Sequence, residues 1–180
     1  MYPKSSQFSV LKFFSFFLIL ALANAACSKK GNQFPGTREG AQQLIAEFLK
    51  PGVDQAKMTQ ALKPTKEDYQ AVFIESMAAK AEEGYQPLWN SAEAVIKPKE
   101  GQTEKKVYSA TVEDLKNGTG EADQFPGGYQ KVVSSLKPGL TFYAFKFVKP
   151  GEELGMSFDG LVYVNNHWVI FPKPWRALGL

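Results

Sequence analysis

Between Thr37 and Gly84 the apolar side chains recur every three or four residues, which is the spacing of amphipathic helices. Thr37 and Asp54 are suited to cap a first and a second helix, and Pro51 ends the first. Thr65 begins a third, with an acid three residues later as in a capping box, and Gly84 is expected to end it. The apolar positions are Ala41, Leu44, Ile45, Phe48 and Leu49; Met58, Ala61 and Leu62; and Tyr69, Val72, Phe73 and Met77. The pattern predicts three helices.

After Pro98 the apolar side chains begin to alternate with polar ones, which is the pattern of strands that are buried on one face. Asn165-Asn166 tolerates the positive φ angles of a two-residue hairpin turn. The predicted strands cover residues 105–115, 140–149, 156–164 and 167–171, and a short helical stretch covers 129–136. The order predicts an α+β fold with three N-terminal helices packed on one face of a curved, mostly antiparallel sheet of about four strands.

The N-terminal segment has the organisation of an export signal. Lys4 and Lys12 precede an apolar run of 11 residues from Phe13 to Ala23. A membrane-spanning helix needs about 20 apolar residues, whereas a signal peptide needs about 7 to 15. Residues 1–26 are therefore predicted to be a signal peptide and are excluded from the fold.

Cys27, the single cysteine of the chain, follows this leader directly. Asn24-Ala25-Ala26-Cys27 resembles the lipobox of bacterial lipoproteins, which implies a lipid on Cys27, a membrane as partner, and a flexible tether over 27–36. Ser28 is not the acid that retains such lipoproteins at the inner membrane, so the resemblance implies the outer membrane, facing the periplasm. The alternative is cleavage after Ala23-Asn24-Ala25, which would give a free secreted protein.

Composition narrows the class of the remaining chain. In the full sequence, leader included, hydrophobic residues make up 44% and charged residues 22%, which is ordinary for a globular protein. Without the leader and its two lysines the chain has 19 basic and 18 acidic residues, so nucleic-acid binding is not expected. Residues 37–180 are predicted to form a single α+β domain.

Catalytic motifs are sparse in this sequence. One histidine and one cysteine give no metal-binding cluster of the ordinary kinds, and the phosphate-binding and nucleophile motifs are not present. No cofactor or metal is expected. His167 follows the predicted hairpin turn and is expected to be a solvent-exposed side chain.

Asp159 is the most unusual polar position, because it lies within the apolar strand pattern SFDGLVYV and precedes Gly160. A carboxylate in apolar surroundings must be paired, or its pKa rises. One interpretation makes Asp159 a general base with Tyr163 as hydrogen-bond donor. The other makes it the cap of a β-bulge at Gly160.

The segment HWVIFPKPWR near the C-terminus offers candidates for ligand binding. Pro172 and Pro174 cannot donate sheet hydrogen bonds, so the strand must end there or lie at an edge of the sheet. Arg176 beside Trp175 suits recognition of an anionic or aromatic ligand; alternatively, Trp175 closes the core and Arg176 pairs with Asp159. The candidate ligand-binding residues are Tyr143, Trp168, Trp175 and Arg176.

The order of elements ending in GLVYVNNHWVIFPKPWR resembles the cone-shaped α+β fold of the nuclear-transport-factor-two-like and cystatin-like superfamily. The resemblance implies a pocket between helices and curved sheet over about residues 37–180. The expected function is a non-catalytic, membrane-anchored binding module for a small apolar ligand or a partner protein. The alternative is an isomerase- or dehydratase-like enzyme using Asp159 and Tyr163, and a homodimer through the open sheet face is a further alternative.

Overall fold

The computed structural model describes residues 34–91 and 94–180, so the predicted signal peptide and Cys27 lie outside the described residues. The fold is α+β. The helices are α1 Arg38–Glu47, α2 Gln55–Gln60, α3 Lys66–Val72, α4 Glu75–Trp89, α5 Val112–Asn117, α6 Tyr129–Val132 and α7 Pro174–Ala177. The strands are β1 Glu104–Thr111, β2 Thr141–Val148, β3 Gly155–Val164 and β4 His167–Ile170. None of these helices is long and apolar enough to traverse a bilayer.

The predicted helix starts are confirmed by their caps. Thr37 Oγ1 accepts a hydrogen bond from the amide of Gly40 at 3.2 Å, and Asp54 Oδ1 accepts one from the amide of Lys57 at 2.9 Å. These bonds satisfy amide groups that have no partner within the helix. The side chains of Thr37 and Asp54 therefore determine where α1 and α2 begin.

The predicted third helix is divided in two, so four helices precede β1. Phe73 is extended, with ψ of 151°, and forms an isolated bridge with Leu136. The amide of Ile74 donates to the carbonyl of Ser135 at 3.0 Å. The backbone between α3 and α4 thus bonds to the segment after α6 instead of continuing the helix.

The prediction that Gly84 ends this helix is wrong. Gly84 lies inside α4, which continues through Pro87 to Trp89. A Cβ built on Gly84 would lie 1.9 Å from the carbonyl oxygen of Ala177 in α7. Glycine therefore permits the close approach of the C-terminal helix to α4.

The sheet is an antiparallel meander in the order β1-β2-β3-β4. Its first strand ends at Thr111, earlier than predicted, because Thr111 and Asp114 form the capping box of α5. The predicted turn between β3 and β4 is confirmed, with φ of 49° at Asn165 and 62° at Asn166. Both values lie in the left-handed region that this turn type requires.

A register shift in β3 interrupts its pairing with β2 between Tyr143 and Phe145. Gly160 lies opposite this shift with φ of +87°, and a Cβ there would be 2.0 Å from the carbonyl oxygen of Phe171. The predicted β-bulge at Gly160 is confirmed. Such bulges bend a strand and redirect the side chains beside it, in this case the side chain of Asp159.

Phe171, directly after β4, joins the sheet to the helices. Its fully buried ring has edge contacts with Tyr69 and Phe73, at centroid distances of 5.2 Å and 5.4 Å, and with Tyr85 at 5.7 Å. The cluster holds α3 and α4 against the end of β4. It also fixes the point at which the chain turns away from the sheet.

Candidate functional site

Asp159 is buried, with 5% of its surface exposed, and its Oδ1 accepts two hydrogen bonds. The amide of Lys173 donates at 2.8 Å and the hydroxyl of Tyr129 at 3.3 Å. Lys173 has a left-handed backbone, with φ of 50°, and is the residue before α7. Asp159 therefore fixes the sharp change of direction between β4 and α7. Its role is structural, but it caps this segment and not, as its sequence had suggested, the bulge at Gly160.

The other oxygen of Asp159, Oδ2, has no hydrogen-bond donor among the described residues. Oδ2 is not fully buried, so solvent can still reach it. Burial raises the pKa of Asp159, and the bonds from Lys173 and Tyr129 and the nearby charge of Arg176 oppose that rise only in part. Asp159 offers one free acceptor in a poorly solvated place.

A cleft of about 470 Å³ lies between α4, the first half of β3 and α7. Its volume falls within the range of about 300–1,000 Å³ that is typical of ligand sites. Its walls include Leu88, Met156, Phe158 and Ala177, with Asp159, Lys173 and Arg176 as the charged residues. An apolar wall with a few charged groups is the usual composition of a binding site.

A smaller cleft of about 240 Å³ contains Asp159, Phe158 and Ser157 as well. Its remaining walls come from β1, β2 and the segment before α6, including Tyr108 and Lys146. The same three residues of β3 therefore line two clefts. The larger one has the volume for a ligand of drug size, so we take it as the candidate site.

The two cations of the larger cleft, Lys173 and Arg176, are exposed. Neither Lys173 nor Arg176 forms a salt bridge with any carboxylate in the described part of the chain. The predicted ion pair between Arg176 and Asp159 is thus not formed, although the guanidinium charge still lowers the pKa of that carboxyl against the effect of burial. The rim of the cleft is positively charged.

Trp175 packs against the core, in agreement with the interpretation that it closes the end of the domain. Its ring contacts Tyr129 edge-on at 5.5 Å, and a Cβ on Gly128 would lie 2.2 Å from it. The indole does not line the large cleft. Trp175 instead positions Tyr129, which in turn bonds to Asp159.

Tyr143, Tyr163 and Trp168 form a separate cluster. Trp168 contacts each tyrosine edge-on, with centroid distances of 5.2 Å in both cases, and its Nε1 donates to the carbonyl of Phe34 at 3.2 Å. Tyr129 packs on Phe142, the neighbour of Tyr143 in β2. Because successive strand residues point to opposite faces, this cluster lies on the face of the sheet away from Tyr129.

The structure therefore separates Tyr163 from Asp159, which the enzyme hypothesis had joined. The hydroxyl beside Asp159 belongs to Tyr129, and Tyr85 lies close enough for the carboxylate charge to raise its pKa further, after burial as the main cause. Sequence reasoning missed Tyr129 because it lies on a different element, far from Asp159 in the chain. Its position in the helical pattern of 129–136 signalled burial but not its partner.

A second buried acid, Asp68, joins α3 to the β3–β4 hairpin. Its Oδ2 accepts from the amide of Thr65 at 2.8 Å and is 3.0 Å from His167 Nε2, while Oδ1 accepts from the side-chain amide of Asn165 at 2.8 Å. Burial alone would raise the pKa of Asp68, but these hydrogen bonds outweigh it and lower the pKa. His167 is therefore bonded within the fold, contrary to the expectation of a free hairpin side chain.

Metal ligands do not cluster in the described residues, where no three His, Cys, Asp or Glu side chains are grouped to hold an ion. Comparison with known proteins gives no further guidance, since no protein-family model, curated protein or solved structure matches the chain. The function must therefore be inferred from the geometry of the cleft.

Proposed function

We propose that this chain is a membrane-anchored, non-catalytic binding protein, and that the cleft between α4, β3 and α7 is its binding site. The observation that carries the proposal is the composition of the cleft: about 470 Å³ with apolar walls from Leu88, Met156 and Phe158. Asp159 Oδ2 adds one hydrogen-bond acceptor. The occupant is a small, mainly apolar ligand or an apolar segment of a partner protein.

Binding is favoured over the enzyme hypothesis because Tyr163 does not lie beside Asp159, and because one of the two oxygens of Asp159 is already used within the fold. A general base must reach a substrate proton with the help of a suitably placed donor. Oδ1 of Asp159 is held by the Lys173 amide and the Tyr129 hydroxyl, and Tyr163 points to the other face of the sheet. We therefore do not assign the isomerase- or dehydratase-like activity.

We also propose that the domain has the cone-shaped arrangement of helices and sheet. N-terminal helices cover one face of a curved sheet, as in the cone of nuclear-transport-factor-two-like proteins, and the cleft lies where that cover ends. The packing of α3 and α4 round Phe171 and the bulge at Gly160 support this arrangement, whereas α1 lies against β1.

The predicted signal peptide also suggests where in the cell the protein is located. We propose that Cys27 carries the lipid and that the domain faces the periplasm from the outer membrane. The one cysteine of the chain at the end of an export signal supports this. An acyl chain contributes about 0.8 kcal/mol per buried CH₂, and more than one chain is needed for stable anchoring.

Fractionation of cells tests the anchor. Wild type is expected in the membrane fraction and to need detergent for release, with Cys27→Ala in the soluble fraction. Mass spectrometry of the native N-terminal peptide should show Cys27 with an added lipid. Wild type that is soluble without detergent, or a native peptide with an unmodified thiol, would overturn the anchor.

A fluorescent apolar dye, N-phenyl-1-naphthylamine, tests the cleft on the exported Cys27→Ala chain, which avoids detergent micelles. The dye should bind saturably, and Leu88→Trp, which fills the cleft, should weaken binding at least tenfold. Gln43→Trp places the same ring on the exposed side of α1 and should leave binding unchanged. Equal affinity in both variants would place the dye elsewhere and refute the assignment of the site.

A further inference from the structure

The two strands at one side of the sheet differ in length. Strand β4 has 4 residues and pairs only with Leu161–Val164, whereas β3 has 10 residues and begins at Gly155. Beyond this pairing, the amide of Phe171 bonds to the carbonyl of Gly160 at 2.8 Å. Among the described residues, no strand pairs with Gly155–Asp159 on the side opposite β2.

The shortness of β4 has a cause in the sequence. Pro172 and Pro174 lack amide hydrogens and cannot continue the hydrogen bonding of a strand. Lys173 between them is left-handed, with φ of 50°, and its amide is used by Asp159. The chain therefore leaves the sheet at this point and forms α7.

The large cleft occupies the place where β4 would have continued. Its walls are Met156–Asp159 on one side and α4 with the segment Pro172–Ala177 on the other. Four residues of strand span roughly 13 Å. An unpaired strand edge presents alternating N–H and C=O groups that can accept another strand, and here the edge faces apolar walls.

We propose that this cleft binds an extended peptide segment of a partner protein, which adds to the sheet as a strand beside Met156–Asp159 and carries an acidic group next to Lys173 and Arg176. The inference rests on the proposed function and names the occupant of its site. Charge selects an acidic peptide, because the exposed cations of the cleft have no salt-bridge partner in the described chain. Main-chain hydrogen bonds supply affinity in this mode, and side-chain pockets supply specificity.

The alternation of β3 supports this mode of binding. Phe158 packs on Phe145 and Phe147, with centroid distances of 5.2 Å and 5.8 Å, so Ser157 and Asp159 face the other side. An added strand would follow the same alternation, with apolar side chains towards Leu88 and Met156. A donor on the bound segment would meet the free Oδ2 of Asp159.

The test selects peptides from a displayed library of random ten-residue segments on the immobilised Cys27→Ala chain. The best binder is then synthesised unmodified, with N-methyl groups on its odd-numbered amides, with N-methyl groups on its even-numbered amides, and with its acids replaced by lysine. Only one set of alternate amides faces the sheet in a strand. One N-methylated form and the lysine form should therefore bind at least tenfold more weakly.

Matched protein variants locate the contact. Arg176→Glu should weaken the selected peptide at least fivefold, whereas Lys149→Glu, the same reversal at an exposed lysine outside the cleft, should not. Hydrogen exchange should slow at Met156–Asp159 on binding. Equal affinity of the two N-methylated forms would overturn strand addition, and equal affinity of Arg176→Glu and Lys149→Glu would overturn recognition of an acidic group by the cleft.

The dye experiment distinguishes a failure of the peptide inference from a failure of the proposed binding function. If no acidic peptide is selected while the dye fills the cleft and Leu88→Trp excludes it, the occupant is a small molecule and this inference is wrong. If the dye also fails to bind, the proposed function is wrong. A dimer of the chain that protects the same edge would show that a second copy, and not a partner peptide, is the occupant.

Discussion

Gly84→Ala tests the packing of α7, which forms one wall of the cleft. In most helices this substitution stabilises by about 0.5–1 kcal/mol, because alanine loses less backbone entropy. Here the new Cβ would lie 1.9 Å from the carbonyl oxygen of Ala177. A carbon and a carbonyl oxygen approach to about 3.3 Å, so α7 must move by about 1.4 Å.

The magnitude follows from these two opposing effects. The clash is with a backbone carbonyl, which cannot rotate away, so overpacking should cost about 2–3 kcal/mol, the upper half of its usual range. The helical gain returns about 0.5–1 kcal/mol, so the free energy of unfolding should fall by about 1–2.5 kcal/mol. For a domain of this size each kcal/mol corresponds to roughly 2–4 °C in Tm. Thermal unfolding followed by circular dichroism should therefore show a decrease in Tm of roughly 2–10 °C.

The control for this substitution is Glu83→Ala at the adjacent exposed position, which should change stability by less than about 0.5 kcal/mol. Because Gly84 and Ala177 both line the cleft, Gly84→Ala should also weaken dye binding, and the control should not. A Gly84→Ala protein that is as stable as wild type or more so would show that α7 does not pack on α4 in this way.

Three further substitutions test the core and the two buried acids. Phe171→Ala removes a fully buried ring with three aromatic contacts and should cost about 3–5 kcal/mol in urea unfolding; a loss under about 1 kcal/mol would contradict the cluster. The pKa of Asp159 is raised on folding, so wild type should lose stability as pH increases through that pKa; Asp159→Asn should remove this loss, and parallel pH profiles would refute it. The pKa of Asp68 is lowered, so its contribution is complete above the unfolded value and is lost as pH falls through the folded one. Asp68→Asn should cost about 1–3 kcal/mol at pH 7 and progressively less as the pH falls below the ordinary pKa of an aspartate. A difference that is constant with pH would exclude the ionised carboxylate as its source.

Features set by neighbouring residues could be predicted from the sequence. The caps at Thr37 and Asp54 depend on amides three residues away, and the Asn165-Asn166 turn depends on its own two φ angles. The bounds of β2 and β3 likewise follow from local runs of apolar residues, although β2 is buried on both faces and not on one face as predicted. These elements were therefore predicted close to their observed bounds.

Features set by distant residues could not be predicted in this way. The break at Phe73 exists because Leu136 pairs with it, and Gly84 is required by Ala177 rather than by the end of a helix. The sequence singled out Asp159 as a polar residue in an apolar strand, but its partner Tyr129 comes from another element. The hydrophobic pattern of one segment does not indicate which other segment packs against it.

The bond between the indole of Trp168 and the carbonyl of Phe34 sets a geometric limit on the proposed anchor. Phe34 is already part of the folded body, so only the seven residue steps from Cys27 to Phe34 connect that body to the lipid. Even a fully stretched chain of this length extends no more than about 25 Å. The near surface of the domain would then lie within this distance of the bilayer, so a partner segment would enter the cleft close to the membrane.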